Sequence, residues 1–255
     1  MSRPVKFLGK DYPELKKYEH RRIEFKPFTA EITITAGKVF DPGKKVHVNE
    51  DAALLIPPPE KESAPGLLAV ADAHWGREAA EIAINTLEDV FTGFYWTGEE
   101  RETELEERLQ DLVRDALMAM VQAHTTSETA LVAGFLFDDA FHWISFGDCF
   151  IYAFPPGKPG YTVNETLDAW LGLRVAGIYS DYMVSGNLFL ENGVSLLLAT
   201  DGLPEAVYGT PTISVSEMRT IIDENPNKPL VALTEAALTA GGEDNLAAVL
   251  VRLDH

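Results

Sequence analysis

Residues 67–76 read LLAVADAHWG, an apolar run that ends abruptly in a carboxylate, Asp72, before a histidine and a glycine. A short apolar run closed by small residues is typical of a buried strand. A carboxylate at the mouth of a buried strand is costly unless a cation or a hydrogen-bond network holds it. The stretch therefore predicts a central strand with a charged site at its end.

Three further stretches repeat this association of an apolar run with an acid at one end. Carboxylates gathered from several strands are the hard oxygen ligands that Mg²⁺ or Mn²⁺ prefers. Packed closely together, they would repel one another strongly unless divalent ions lay between them. The three stretches are residues 48–56 (VNEDAALLI, with Glu50 and Asp51), 195–202 (SLLLATDG, with Asp201) and 241–253 (GGEDNLAAVLVRL, with Asp244).

Taken in order, these motifs resemble those of the metal-dependent protein phosphatases, the type 2C serine/threonine phosphatases. Each motif alone is a common turn sequence, but the ordered set is specific, and the resemblance covers about residues 32–253. The matching motifs are Asn49-Glu50-Asp51, Asp72-Ala73-His74-Trp75-Gly76, Gly147-Asp148-Cys149, Asp201-Gly202 and Asp244-Asn245.

The order of predicted elements is strands, two helices, strands, two helices and a final strand. This order does not alternate as a doubly wound sheet would, and it favours an α+β arrangement with helices outside. The resemblance implies a four-layer α/β/β/α sandwich of two antiparallel sheets flanked by helices. We expect an N-terminal arm over residues 1–22 and a single catalytic domain over 23–255, with a reduced flap region at about 155–187.

Hydrophobic periodicity predicts helices over residues 76–91, 104–124, 215–224 and 230–240. Residues 23–36 read as one strand, and the arm is expected to be loose or to hold a short helix over 12–18. Residues 188–200 predict a hairpin that turns at 191–193, and 203–208 predict a short helix.

Composition narrows the classes of partner. The net charge of −19 over 255 residues argues against nucleic acid or an anionic membrane as the main partner. No apolar run approaches the roughly 20 residues that span a bilayer, and the N-terminus lacks the apolar core of a secretory signal. The single cysteine, Cys149, cannot form an internal disulfide. We expect a cytoplasmic, monomeric protein.

The resemblance also implies a ligand for each metal position. Two Mn²⁺ or Mg²⁺ ions per chain are expected, with a third, weaker site. Asp72 is expected to bridge two ions. Asn245 is expected to orient Asp244 without binding a metal itself. At one ion, the other expected ligands are Asp201, Asp244 and the backbone carbonyl of Ala73. At the second ion they are Glu50 and Asp51. At the weaker third site they are Asp148 and Asp201.

Two metals that share a water lower its pKa and neutralise charge on a phosphoryl oxygen, so hydrolysis needs no nucleophilic side chain. The resemblance implies hydrolysis of phosphoserine or phosphothreonine in proteins. His74 is the expected general acid for the leaving alkoxide, because imidazole can carry a proton near neutral pH. The other histidines show no zinc-binding spacing.

This sequence departs from the family at several positions. Val46 stands where an arginine usually binds the substrate phosphate, and Lys44, Lys45 or His47 are the expected substitutes. None of them provides a bidentate guanidinium fork. Trp75 replaces a glycine and is expected to crowd or wall the pocket.

These departures keep two alternatives open. Val46, Trp75 and Phe150 favour a non-catalytic binding or regulatory module that kept the fold, since Phe150 stands where an arginine often follows the G-D-S motif. The short region at 155–187 favours a more open site that hydrolyses small phosphate esters.

Overall fold

The structure is a computed structural model that describes residues 3–15, 17–41, 46–59, 64–207 and 209–253. Strands and helices alternate in blocks along this part of the chain. In chain order they are β1 (Val5–Leu8), β2 (Tyr18–Phe25), β3 (Phe28–Thr35), β4 (Phe40–Asp41), β5 (Val46–His47), β6 (Ala52–Ile56), β7 (Gly66–His74), α1 (Glu78–Gly93), α2 (Glu102–Ala123), β8 (Glu128–Phe137), β9 (Ala140–Phe146), β10 (Phe150–Phe154), β11 (Tyr161–Thr162), β12 (Val184–Phe189), β13 (Ser195–Ala199), α3 (Val215–Glu224), α4 (Pro229–Ala240) and β14 (Leu246–Leu253).

The long strands form two six-stranded antiparallel sheets. The first has the order β1-β6-β7-β8-β9-β12 and the second β11-β10-β13-β14-β3-β2, while β4 and β5 pair separately. Helices α1 and α2 pack on the first sheet, and α3 and α4 pack on the second. The predicted four-layer sandwich of two antiparallel sheets flanked by helices is confirmed.

An apolar core lies between each pair of neighbouring layers, which makes three cores. Strand β7 contributes side chains to two of them. Leu67 and Ala69 pack against the helices, whereas Leu68 and Val70 pack between the sheets. Side chains alternate between the faces of a strand with a period of two. Asp72 therefore shares the inter-sheet face with Leu68 and Val70, at the end of their row.

The N-terminal residues differ from the expected loose arm or short helix. Val5–Leu8 forms an edge strand paired with β6, and Tyr18 already begins β2. The buried Phe7 and Leu8 explain the ordering, because these side chains complete apolar layers of the sandwich. The predicted single strand over 23–36 is also wrong: β2 and β3 form a hairpin that turns at Lys26 and Pro27.

The predicted hairpin over 188–200 is wrong as well. Strand β12 pairs with β9 in the first sheet, while β13 pairs with β10 and β14 in the second, so residues 190–194 cross between the sheets. The predicted short helix over 203–208 is a series of turns in the described residues; Tyr208 lies outside them. The Pro204 carbonyl accepts hydrogen bonds from the amides of Thr212 and Ile213, which holds this segment as a loop.

All four predicted helices are present, and α3 has the predicted bounds. Across the described ranges, none of the helices combines the length and the apolar character required to cross a bilayer.

Candidate metal centre

Five aspartates approach one another at one end of the inter-sheet layer. Around Asp72, the charges that raise its pKa, after burial itself, are in descending order those of Asp51, Asp201, Asp244 and Asp148. These residues come from distant parts of the chain, and each lies at or next to the end of a strand. Asp51 precedes β6, Asp72 lies in β7, Asp148 follows β9, Asp201 follows β13 and Asp244 precedes β14.

The carboxylates of this cluster are buried or partly buried, and they repel one another. Asp51 and Asp72 are 1% and 7% exposed, and burial followed by neighbouring charges raises the pKa of both well above the ordinary range of an aspartate. Burial and the charge of Asp244 raise the pKa of Asp201 to about 7. Burial also raises the pKa of Asp244. Without a counter-charge, the site resists holding all of these groups ionised.

Two of the buried carboxylate oxygens have no hydrogen-bond donor among the described residues: Oδ1 of Asp51 and Oδ1 of Asp201. A buried acceptor without a partner destabilises a fold by about 1–3 kcal/mol. Hard divalent cations bind anionic oxygens of this kind, and their charge offsets the repulsion within the cluster. The donor set therefore fits Mg²⁺ or Mn²⁺.

His74 lies beside this cluster on the same face of β7 as Asp72. Ligand-capable atoms of His74, Asp72 and Asp148 all lie within 4.8 Å of one another. Burial lowers the pKa of His74, while the charges of Asp148, Asp244 and Glu128 act in the opposite direction. Its Nε2 atom is buried and makes no hydrogen bond with the described residues.

Hydrogen bonds fix the strands that carry the acids. The Thr129 hydroxyl donates to the carbonyl of Asp72 at 2.9 Å. The amide of Asn245 donates to Oδ1 of Asp244 at 2.8 Å, and the side-chain oxygen of Asn245 accepts from the amide of Gly37 at 3.0 Å. Asn245 thus ties the Asp244 turn to the end of β3.

Close packing explains the glycine of the Asp201-Gly202 motif. A Cβ atom on Gly202 would lie 1.7 Å from the carbonyl oxygen of Asn245, a distance that no side chain tolerates. The glycine lets the segments bearing Asp201 and Asp244 approach each other. A strained backbone occurs at Trp75, whose φ is 61°, and not at Ala73, so alanine does not disturb the turn after Asp72.

The other predicted site residues are placed less completely. Ala73 is buried and pairs with Thr129 across the sheet. Glu50 is half-buried and directly precedes Asp51. Lys44 and Lys45 lie outside the described residues, as does the side chain of His47.

Two residues near the centre, Thr200 and Trp170, were missed by sequence reasoning. The Thr200 hydroxyl donates to Oδ2 of Asp51 at 2.7 Å and accepts from the amide of Ala247 at 2.9 Å. Trp170 Nε1 donates to Oδ1 of Asp148 at 3.4 Å. Thr200 could have been singled out from the sequence, since it directly precedes Asp201. Trp170 belongs to a segment whose apolar residues show no periodicity.

The sequence matches no protein-family profile and no curated relative. Its structure is similar to that of a bacterial serine phosphatase, with 14% identity, a TM-score of 0.65, and coverage of 88% of this chain and 97% of the other. It is also similar to the S. agalactiae serine/threonine phosphatase, with 15% identity, a TM-score of 0.66, and coverage of 93% and 100%. A third similar structure is the catalytic domain of the serine threonine protein phosphatase PstP in complex with two manganese ions, with 19% identity, a TM-score of 0.62, and coverage of 94% and 98%. The chain therefore has the fold of the bacterial serine/threonine phosphatases, as the resemblance in its motifs predicted.

Proposed function

We propose that this protein is a metal-dependent phosphatase that hydrolyses phosphoserine or phosphothreonine in other proteins. The observation that supports this most is the cluster of five aspartates, two of which present buried carboxylate oxygens without a hydrogen-bond donor among the described residues. The PstP catalytic domain, which has the same fold, was solved with two manganese ions. A fold alone does not establish an activity, so the proposal depends on the chemistry of this cluster.

Two Mn²⁺ or Mg²⁺ ions would be held by the carboxylates that the structure brings together. Bound divalent ions would lower the pKa of a water molecule and would neutralise charge on a phosphoryl group. Asp72 would be a ligand of these ions, because the charges of the other four aspartates surround it. The remaining proposed ligands are Asp201 and Asp244 with the Ala73 carbonyl, Glu50 and Asp51, and Asp148 with Asp201 at a weaker third site.

The protein's own groups then hold the ligands and move a proton. Thr200 fixes Asp51 by donating to Oδ2, which leaves Oδ1 for a cation. Asn245 holds the turn that carries Asp244. His74 donates a proton from Nε2 to the leaving alkoxide, and the neighbouring carboxylates of Asp148 and Glu128 stabilise the protonated ring against the effect of burial.

The direct test is hydrolysis of p-nitrophenyl phosphate and of a phosphothreonine peptide with and without Mn²⁺. We expect turnover to require the metal and to be lost in Asp201→Asn. The matched control is Asp111→Asn, since Asp111 is a half-exposed aspartate on α2 whose carboxylate pairs with Arg114. Turnover that resists a chelator, or that survives in Asp201→Asn, would contradict the proposal.

The same assay addresses the substrate class. A higher kcat/KM for phosphopeptides than for small phosphate esters supports a protein substrate, and the reverse order supports the small-ester alternative. A cytoplasmic location and a monomeric state belong to the same proposal. Light scattering of the purified protein tests the monomer.

A further inference from the structure

An aromatic and cationic rim lies beside the metal centre, on residues that none of the roles above uses. Trp75 is 60% exposed, although it directly follows β7, which is buried as far as Ala73. Its ring meets the ring of Trp170 edge-on at 5.8 Å, and Trp170 meets the His74 ring edge-on at 4.7 Å. The rim is thus in contact with the residue proposed to deliver the proton.

Arg174 supplies the charge of this rim. Its guanidinium carbon lies 4.6 Å from the centre of the Trp75 ring, and its Nε lies 3.2 Å from Oε1 of Glu128. The side chain of Glu128 is 5% exposed, whereas that of Arg174 is 66% exposed. The guanidinium is therefore held by a buried carboxylate and by the face of an indole, while most of the side chain stays exposed.

The segment that carries Arg174 is docked firmly on the first sheet. The backbones of Leu171 and Thr129 exchange two hydrogen bonds, each 2.9 Å long. Gly172 allows close approach, because a Cβ atom there would lie 2.6 Å from Cγ of Glu128. Arg174 is consequently presented by an anchored turn.

Trp75 occupies its position at a conformational cost. Its φ of 61° lies in the left-handed region, where a bulky side chain is an outlier and a glycine is favoured. Strained residues concentrate at functional sites, where the surrounding structure maintains them. Trp75 belongs to none of the apolar cores among the described residues, so core packing does not account for this strain.

We propose that Arg174 and Trp75 form a substrate-recognition subsite that binds an oxyanion of the phosphorylated substrate at the mouth of the metal centre. The inference rests on the proposed function, because it assigns the substrate's place at that same centre. The oxyanion has two sources in a phosphopeptide: the phosphoryl group, or a carboxylate next to the phosphorylated residue. Arg174 supplies a planar guanidinium donor, whose geometry matches the oxygens of a phosphate or a carboxylate.

Binding and kinetics with the Mn²⁺-loaded full chain test this subsite together. Calorimetry with inorganic phosphate, and with phosphothreonine peptides that have either acidic or neutral neighbours, measures Kd directly. In Arg174→Ala we expect Kd and KM for the preferred ligand to rise about tenfold, on the scale of one charge-assisted hydrogen bond, with kcat little changed. If Arg174→Ala weakens the binding of every ligand, Arg174 binds the phosphoryl group. If it weakens the binding of the acidic peptides alone, Arg174 binds the carboxylate next to the phosphorylated residue.

Two further variants sharpen the result. Arg114→Ala is the matched control, since Arg114 is a half-exposed, ion-paired arginine on α2, and its Kd should equal that of the wild type. Trp75→Gly should weaken binding severalfold without lowering the melting temperature, because glycine adopts the same φ without strain.

Unchanged Kd and KM in Arg174→Ala would overturn the inference, as would wild-type protein that binds none of these ligands. A large fall in melting temperature in Trp75→Gly would make Trp75 structural and would also count against it. If the wild type binds a ligand but hydrolyses nothing, and Arg174→Ala weakens that binding, the inference stands and the proposed phosphatase function fails. If the wild type hydrolyses its substrate and Arg174→Ala has the same Kd and KM as the wild type, the proposed phosphatase function stands and the inference fails.

Discussion

The layer between the two sheets has an apolar end and an acidic end, and the same strands build both. Along β7, Leu68 and Val70 pack into the inter-sheet core, and Asp72 continues the row on the same face. On β6, Ala53 and Leu55 belong to the same core, and Asp51 lies just before the strand. Apolar packing stabilises one end of the layer, and the candidate metal ligands gather at the other.

The difference shows how a fold tolerates a cluster of buried charges. The apolar row removes side chains from water and stabilises the sandwich, while each aspartate raises the free energy of the metal-free protein by burial and repulsion. The strands are held in register by the apolar end, so the acids cannot separate to relieve their repulsion. A bound divalent cation would offset this repulsion with its positive charge.

A pair of variants two residues apart on β7 gives the largest contrast. Val70→Ala removes buried apolar surface, so we expect a loss of about 2 kcal/mol in unfolding free energy with manganese-dependent activity retained. Asp72→Asn should abolish the activity while leaving the metal-free protein as stable as the wild type, or more stable, because a buried charge is removed. Denaturant unfolding and phosphatase assays of both variants measure this. Equal effects of the two changes on activity would show that the ends of the layer are not separate in function.

The pH dependence of stability should expose the acidic end next. The folded-state pKa of Asp201 is about 7 against an ordinary value of 3.8, so the folded state binds more protons than the unfolded state between those values. The unfolding free energy of the metal-free protein should therefore fall as pH rises from about 4 to about 7, by a few kcal/mol. The raised pKa values of Asp51, Asp72 and Asp244 act in the same direction.

Melting temperatures measured with a chelator and with Mn²⁺ check this trend. Manganese should stabilise more at pH 8 than at pH 5, because protons compete for the same oxygens. Asp201→Asn should flatten part of the metal-free slope. A metal-free melting temperature that increases steadily from pH 5 to pH 8 would refute the expectation.

Replacing His74 separates a proton donor from a metal ligand at the boundary of the acidic end. For a general acid, His74→Gln should lower kcat on a phosphopeptide by about 100-fold and affect p-nitrophenyl phosphate less, since p-nitrophenolate leaves without a proton. The Kd for Mn²⁺, measured by calorimetry, should then be unchanged. A weakened Kd together with equal losses on both substrates would identify His74 as a ligand.

The smallest expected effect concerns the support of one carboxylate. Thr200→Val removes the hydroxyl that donates to Asp51 and accepts from Ala247, so manganese affinity should fall by about tenfold. Thr200→Ser keeps the hydroxyl and is the matched control. An affinity in Thr200→Val that equals that of Thr200→Ser would show that Asp51 does not depend on this hydrogen bond.

The sequence alone predicted the helices and an α+β class, because apolar periodicity is a local pattern. The resemblance of its motifs to those of the type 2C phosphatases implied the four-layer sandwich and directed attention to the aspartates at strand ends. Sequence reasoning failed at residues 188–200, where two adjacent strands resemble a hairpin although each pairs in a different sheet. Local propensity does not specify which sheet a strand joins, since that choice depends on partners far along the chain.

Only the tertiary structure decided the surroundings of the acids. Thr200 contacts Asp51 across 149 positions of sequence, and Arg174 reaches Glu128 and Trp75 from a turn that has no periodicity of its own. The burial that raises the pKa of the aspartates is likewise a property of the packed sandwich. A residue's type fixes which chemistry it can perform, but its burial, charge neighbours and hydrogen-bond partners are set by contacts that exist only after the two sheets have packed together.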